Sequence, residues 1–205
     1  TAASPLMPLV LATAAPGGAA ARAVALNALA RPTRSMPGLG RLIDGLGGDF
    51  DGRLRIVAVD RRNGRRVVFG APGAPAAKVS QAVLASCAVP WIFAPVRIGG
   101  RDYVDGGVWS PTNLDVTPVG RGTRVLCLNP TASLPSARSP LGALRTVVRT
   151  AAFTEALALR ARGAGVRTIA PDKASARTMG ADLMDRGRVE QVLEAAYAQG
   201  RALAA

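Results

Sequence analysis

The chemistry that this sequence could perform centres on one carboxylate, Asp105, in the stretch YVDGGVWSPTN. Asp105 follows an apolar, strand-like segment and directly precedes two glycines. Because successive side chains of a strand point to opposite faces, Asp105 and Asp102 should project to opposite sides of a sheet. The two acids therefore do not match the paired carboxylates of a glycosidase, and Asp105 is predicted to stand alone at the end of its strand.

The two glycines that follow the acid, Gly106 and Gly107, allow two interpretations. Glycine permits positive φ angles and lets another backbone segment come very close. An Asp beside glycines is also common in turns, where the carboxylate caps a neighbouring amide. Taken by itself, the sequence Asp-Gly-Gly favours the second interpretation, a turn.

Histidine is absent from the sequence, and this limits the available mechanisms. Without it the chain cannot form a Ser-His-Asp or Cys-His arrangement from its own residues. It also lacks the commonest transition-metal ligand. The two cysteines, Cys87 and Cys127, lie in apolar runs without basic neighbours and are predicted to be small core residues.

The net charge of +13 comes almost entirely from arginine, because Lys78 and Lys173 are the only lysines. A strongly basic chain can bind phosphate groups on nucleic acid or on an anionic membrane. The arginines are scattered, however, and aromatic residues do not alternate with them as they do in nucleic-acid-binding motifs. Charge alone therefore does not predict nucleic-acid binding, and we attribute the arginine and alanine content mainly to a GC-rich coding bias.

Two β-hairpins are predicted in the middle of the chain. The first joins the β-branched segments Leu54–Asp60 and Arg65–Gly70, and the intervening Asn-Gly pair suits a tight type I′ turn. The second covers Val96–Asp105 and turns at Gly99-Gly100. The acid is thus expected at the end of a hairpin strand.

Alternation of strands with helices predicts an α/β fold with a mainly parallel sheet. A continuous apolar strand of the buried kind is predicted at Thr123–Pro130, and another strand at Val166–Pro171. Helices are predicted at Ala20–Ala30, Ala74–Pro90, Ser139–Gly163 and Arg188–Ala204, with at most a short helix at Leu39–Gly47.

The block around the acid closely resembles the C-terminal catalytic part of the patatin-like phospholipases, which are lipid acyl hydrolases of bacteria and plants. The matching pieces are ASCAVPWIFAPV (Ala85–Val96), GRDYVDGGV (Gly100–Val108) and SPTN (Ser110–Asn113). Helix, proline break, hairpin and Asp-Gly-Gly occur in the family's order. Weaker similarity extends over most of residues 54–203.

The resemblance implies a three-layer α/β/α fold and a Ser–Asp dyad in which the Asp of Asp-Gly-Gly is the general base. Asp105 occupies the matching position. Burial at a strand end with few donors would raise the pKa of its carboxyl and strengthen it as a base. The implied reaction is hydrolysis of a lipid ester through an acyl-serine intermediate, without metal or cofactor.

Two further motifs of the family are not found in the sequence, namely a glycine-rich oxyanion loop and a Gly-x-Ser-x-Gly nucleophile elbow. The glycines of Gly38–Phe50 come without the elbow serine and are predicted to be connecting loop. Ser80, Ser86 and Ser110 lack the motif and are not favoured as nucleophiles. We therefore expect an upstream segment or a companion chain to supply the serine and the oxyanion hole.

The expected organisation follows from the resemblance. Residues 1–48 would form a variable cap region after the absent nucleophile segment, and residues 49–205 the C-terminal part of the catalytic domain. Trp91, Ile92 and Phe93 are candidates for an acyl-chain pocket, and ordinary core packing explains them equally well.

A second interpretation of the whole chain is a non-catalytic, patatin-like module that binds lipid or protein. No uninterrupted apolar run reaches 18 residues, so no membrane span is predicted. We expect a bacterial protein that acts in the cytoplasm or at a membrane surface, and secretion stays open.

Overall fold

The computed structural model of the chain describes residues 18–28, 31–130, 132, 141–180 and 185–204. The chain divides into two compact units, Thr1–Thr117 and Pro118–Ala205, and each has its own sheet. Much of the predicted cap region, residues 1–17 and 29–30, lies outside the described residues. The predicted division between residues 48 and 49 stays a prediction.

The first unit contains a four-stranded sheet in the order β2-β1-β4-β3. Both predicted hairpins are present in it, and all three neighbouring pairs are antiparallel. The strands are β1 (Ile56–Asp60), β2 (Arg66–Phe69), β3 (Val96–Ile98) and β4 (Arg101–Asp105).

The turn of the first hairpin differs from the prediction. Only Gly64 has a positive φ, +65°, and Asn63 does not. The carboxylate of Asp60 accepts hydrogen bonds from the backbone N–H of Arg62 and from the Asn63 amide, at 2.9 and 3.3 Å. These bonds organise a longer loop between Asp60 and Arg65, so the predicted tight type I′ turn at this position is wrong.

Three helices accompany this sheet: α1 (Ala19–Ala28), α2 (Pro37–Leu46) and α3 (Val79–Ser86). Helix α3 is shorter than the predicted Ala74–Pro90. Lys78 is extended, and its backbone N–H donates to the side chain of Gln81 at 3.0 Å. This cap stabilises a helix start at Val79, five residues later than predicted.

The sheet packs helices against both of its faces. Ala58 and Tyr103 lie in one apolar cluster with Ala85 of α3. On the other face, Val104 packs in a second cluster with Leu26 of α1. Helices and strands are therefore mixed as predicted, while the three-layer arrangement of a complete domain stays a prediction.

The second unit contains two parallel strands, β5 (Arg124–Leu128) and β6 (Gly165–Ile169). Parallel pairing is thus confirmed, but among the described strands it is limited to this pair. The predicted mainly parallel sheet is wrong for the first unit. Hairpin turns make two of its three pairs antiparallel, and the third pair, β1 with β4, is antiparallel as well. The helices of this unit are α4 (Leu141–Ala161), α5 (Lys173–Met179), which the sequence did not predict, and α6 (Val189–Ala204).

Strand β5 is buried on one face only, contrary to the prediction. Cys127 is buried, whereas Leu126 and Leu128 on the opposite face are 59% and 68% exposed. The described residues place helix α4 beside β6, and the second face stays uncovered. No described helix is long and apolar enough to cross a membrane.

Two glycines with positive φ provide a stability test of the first unit. A Cβ at Gly64 would lie 2.1 Å from the carbonyl oxygen of Ala19, whereas a Cβ at Gly99 would meet no atom within 4 Å. We expect Gly99→Ala to cost about 1 kcal/mol through backbone strain alone. Gly64→Ala should cost about 3 kcal/mol, because α1 must also move away from the loop.

Urea unfolding measures the free energies of unfolding of both variants. The slope of each transition is compared with that of the unsubstituted chain. Equal free energies of unfolding for the two variants would show that α1 does not pack against the Gly64 loop.

Candidate active site

Asp105 is the last residue of β4, where the pattern of the sequence placed it. It lies opposite Ala58 of β1, and its backbone N–H donates to the carbonyl oxygen of Ala88 at 3.1 Å. Ala88 belongs to the segment that follows α3. The acid is therefore fixed between the neighbouring strand and the chain leaving α3.

The carboxylate of Asp105 accepts one hydrogen bond, from the backbone N–H of Gly107 to Oδ1 at 2.7 Å. Among the described residues no other group donates to it, and no arginine or lysine forms an ion pair with it. The capping role that a turn predicts is thus present. Oδ2 keeps its capacity to accept a further proton or hydrogen bond.

Burial sets the acidity of this group. The loss of solvent raises the pKa of the Asp105 carboxyl from its ordinary 3.8 to about 6, and the Gly107 hydrogen bond acts in the opposite direction. Desolvation disfavours the charged carboxylate, and one hydrogen bond does not compensate for it. A carboxylate with a pKa near 6 is a stronger base than an exposed aspartate and is still ionised at neutral pH.

The two glycines after Asp105 serve local packing. Neither has a positive φ. A Cβ at Gly106 would lie 2.5 Å from the carbonyl oxygen of Val57 in β1, so only glycine fits against this strand. At Gly107 the nearest atom to a Cβ would be Oδ1 of Asp105, at 3.0 Å. The predicted close backbone approach is therefore found at Gly106, with β1 as the neighbour.

Asp102 lies on the opposite face of β4 and has a different environment. Its carboxylate forms ion pairs with Arg31 at 3.0 Å and with Arg97 at 3.5 Å. The separation of the two acids that strand alternation predicts is thus confirmed. Asp102 also offers a matched comparison with Asp105, because it is an acid of the same strand that is neutralised by arginine.

Cys87 lies close enough to Asp105 for the charge of that carboxylate to affect its thiol. Burial raises the pKa of its thiol, and the negative charge of Asp105 raises it further. Cys87 is partly buried and Cys127 is buried. Both properties agree with the predicted role of small packing residues. No group of three described His, Cys, Asp or Glu side chains is arranged to hold a metal ion.

Trp91, Ile92 and Phe93 follow the proline break, and Trp91 has an unusual φ of +62°. Trp91 packs against the cluster that contains Leu26 and Val104. Trp91 and Phe93 also line a cavity of only about 10 Å³, and Ile92 does not. A volume of this size holds about one water molecule. The acyl-chain pocket stays a prediction for these residues.

The candidate serines are not hydrogen-bonded to the carboxylate of Asp105 in the part of the chain that the structure describes. Ser80 and Ser110 are buried. The hydroxyl oxygen of Ser110 accepts hydrogen bonds from the backbone N–H groups of Thr112 and Asn113. Within the described ranges no serine hydroxyl forms a hydrogen bond with Asp105, so no nucleophile and base are paired there.

A cavity of the second unit has a volume of about 640 Å³ and lies beside the carboxyl ends of β5 and β6. Phe153, alanines and a proline form its apolar wall, and Arg160, Asp172 and Lys173 add charges. Among the described residues that line it there is neither serine nor cysteine. The described part of this cavity therefore offers space for a ligand.

Sequence reasoning missed the residues that hold the turn after Asp105. The amide of Asn113 donates to the carbonyl oxygen of Gly106, and Arg66 of β2 donates to the same amide's oxygen. The positive φ that Asn tolerates was a usable local signal for Asn113. Nothing local indicates Arg66, which is 47 residues away.

Comparison with protein-family models gives one match, to the family described as patatin-like phospholipase, over residues 13–118. The match covers just over half of the chain, includes Asp105, and ends at the boundary between the two units. The resemblance seen around the acid is thereby confirmed, and the weaker similarity expected up to residue 203 stays a prediction. Comparison with curated proteins gave no significant match.

The raised pKa predicts how stability depends on pH. The folded chain binds the proton of Asp105 more tightly than the unfolded chain, so the resulting stability is full below about pH 4 and is lost as pH rises through about 6. Asp105→Asn removes this ionisation and keeps an oxygen for the Gly107 N–H. We expect it to stabilise the chain at pH 8 by on the order of 3 kcal/mol.

Denaturant unfolding at pH 4 and pH 8 measures this effect as the difference between the variant and the unsubstituted chain. Most of the gain should be absent at pH 4, where the Asp105 carboxyl of the folded chain is protonated and as neutral as the amide. A gain that is the same at both pH values, or a loss at pH 8, would contradict a raised carboxyl pKa.

The thiol of Cys87 provides a second, independent report on Asp105. Asp105→Asn should lower the pKa of Cys87, because the nearby negative charge is removed. Alkylation of Cys87 by iodoacetamide at pH 8, followed by peptide mass spectrometry, should then become several-fold faster. Asp102→Asn should leave the rate unchanged, and a rate that rises equally in both variants would point to general loosening of the fold.

Proposed function

Because the chain belongs to the patatin-like phospholipase family, a family of lipid hydrolases, we propose that Asp105 is the general base of a Ser–Asp dyad that hydrolyses lipid esters. The observation that most directly supports this proposal is the state of the Asp105 carboxylate. It lies at a strand end with one hydrogen bond and a pKa raised to about 6. A base needs a free acceptor and a pKa near the working pH.

The proposed reaction has two steps. In the first, Asp105 accepts the proton of a serine hydroxyl, the serine oxygen attacks the ester carbonyl, and the alcohol leaves with that proton, so that an acyl-serine forms. In the second, Asp105 accepts a proton from water, the hydroxide attacks the acyl-serine, and Asp105 returns the proton to the leaving serine oxygen, so that the fatty acid is released and the serine and the base are regenerated. Neither step needs a metal or a cofactor.

The nucleophile is proposed to come from a segment or companion chain with a Gly-x-Ser-x-Gly sequence, since these 205 residues contain none. The same part would supply the backbone N–H groups of the oxyanion hole. Residues 1–48 are proposed to serve as the cap region of this arrangement. The acid at the end of β4 is the contribution of this chain.

The proposed substrate is a lipid ester presented at an anionic lipid surface. Helix α2 exposes Leu42 and Leu46, by 61% and 72%, and Arg41 beside them is exposed as well. Exposed apolar side chains next to a cation favour contact with the interface of a membrane. The net charge of +13 favours anionic head groups.

Hydrolysis assays test the proposed base in the protein that contains the Gly-x-Ser-x-Gly segment. Asp105→Asn should lower kcat for a phospholipid or a p-nitrophenyl ester by about 10²–10⁴-fold, the usual contribution of a general base. Asp102→Asn, on the other face of the same strand, should keep most of the activity. Full activity in the Asp105→Asn protein would refute the dyad.

A fluorophosphonate probe separates the dyad from the alternative, a non-catalytic lipid- or protein-binding module. Labelling of the Gly-x-Ser-x-Gly serine, weakened by Asp105→Asn, supports the enzyme. Labelling of a serine among these 205 residues would show that the nucleophile is not supplied from outside them. Binding to anionic liposomes without any labelling supports the module.

A further inference from the structure

The side chain of Asn113 holds the turn that follows Asp105 in place, by a hydrogen bond to Gly106, seven residues earlier in the chain. The amide nitrogen of Asn113 donates to the carbonyl oxygen of Gly106 at 3.1 Å and to that of Ser110 at 2.5 Å. Gly106–Val108 forms a short 3-10 turn, and the N–H of Gly107 within it is the donor to Oδ1 of Asp105. The Gly106 carbonyl also accepts the backbone N–H groups of Trp109 and Ser110, at 2.9 and 3.3 Å. Asn113 therefore adds the side-chain contact to the peptide that positions this donor.

Asn113 reaches Gly106 from a constrained conformation. Its φ is +45° and its ψ is 33°, a left-handed conformation that few residues other than glycine tolerate. Asn tolerates it better than most side chains because its short amide can bond locally. The hydroxyl oxygen of Ser110 accepts the backbone N–H of Asn113 at 3.3 Å, which helps to hold the residue in place.

Arg66 of β2 determines which way the Asn113 amide faces. Its guanidinium donates to Oδ1 of Asn113 at 3.3 Å, so the amide nitrogen is left to donate to Gly106. Arg66 is itself held by Asp115 through two parallel bonds of 2.6 and 2.7 Å, and its guanidinium stacks on Trp109 at 5.0 Å. Such a bidentate pair holds an arginine in one orientation.

We propose that Arg66 and Asn113 are positioning residues for Asp105, which act through the Gly106 carbonyl to keep the Gly107 N–H on the carboxylate. The chain of contacts runs from Asp115 through Arg66 and Asn113 to the turn. Its consequence for catalysis rests on the proposed function. Its consequence for the acidity of Asp105 does not, and can be measured on the 205-residue chain alone.

A purely structural role for these residues makes a different prediction. If Asn113 only stabilised the loop, its loss would lower the free energy of unfolding and leave the titration of Asp105 unchanged. If it positions the Gly107 donor, its loss weakens the single hydrogen bond that stabilises the charged carboxylate. The pKa of Asp105 then rises, because burial stays while the compensating bond is lost.

Two substitutions at Asn113 separate its amide from its backbone. Asn113→Gly accepts the positive φ without strain and removes the side chain. Asn113→Asp keeps the size and the contact with Arg66 but cannot donate to the Gly106 carbonyl, and its added negative charge by itself raises the pKa of Asp105. Arg66→Lys leaves Asn113 in place and removes the planar donor pair that orients it. Arg65→Lys, on an exposed neighbour, is the matched control.

The measurement is a pH titration of the Asp105 side-chain carboxyl by ¹³C NMR, with its signal assigned by its absence in Asp105→Asn. We expect Asn113→Gly to raise the pKa by about one, which corresponds to the loss of one hydrogen bond to a charged group, and Asn113→Asp to raise it further through its added charge. Arg66→Lys should raise it in the same direction, and Arg65→Lys should not. An unchanged or lowered pKa in the folded Arg66 and Asn113 variants would overturn the proposal.

Kinetics of the protein with the Gly-x-Ser-x-Gly segment distinguish this inference from the proposed function. Asn113→Gly should lower kcat about tenfold with KM unchanged, and shift the acidic limb of the pH profile upwards. A shifted NMR titration with an unshifted pH profile would refute Asp105 as the base and keep the positioning role. An unshifted titration with an inactive Asp105→Asn would refute the positioning role and keep the base.

Discussion

The Asp105 carboxylate balances two opposing effects, burial that disfavours its charge and one backbone hydrogen bond that favours it. The bond from Gly107 is too little to restore the acidity of an exposed aspartate, and no described cation assists it. The fold therefore stabilises a carboxylate that holds its proton more tightly than usual. The raised pKa makes the charged state of Asp105 less stable and makes the carboxylate a better proton acceptor. Perturbed pKa values of this kind are often found at functional sites.

The elements around the acid maintain this balance from several sides. The glycine at position 106 lets the turn lie directly on β1, and the Ala88 carbonyl fixes the acid's own N–H. The Asn113 amide donates to the Gly106 carbonyl of the turn, and Arg66, which stacks on Trp109, donates to the Asn113 amide oxygen. Backbone contacts and side-chain contacts thus converge on one peptide, and the acidity of the carboxyl depends on where that peptide lies.

Local patterns were sufficient for part of this arrangement. A strand period of two placed Asp102 and Asp105 on opposite faces, and two glycine-containing turns indicated the hairpins. The conformation of the loop at Asn63 was not predictable in detail, because the carboxylate of Asp60 accepts hydrogen bonds from the Arg62 N–H and the Asn63 amide, and these bonds favour a longer loop over a tight turn. The contact between Arg66 and Asn113 depends on the tertiary fold, and neither the pairing of β1 with β4 nor the exposed face of β5 follows from local periodicity.

The basic character of the chain is almost entirely guanidinium, and the sequence contains no imidazole. Guanidinium groups keep their charge across the whole biological pH range, whereas a carboxyl with a pKa near 6 does not. Asp105 therefore takes up its proton at slightly acidic pH, against a background of positive charge that stays constant.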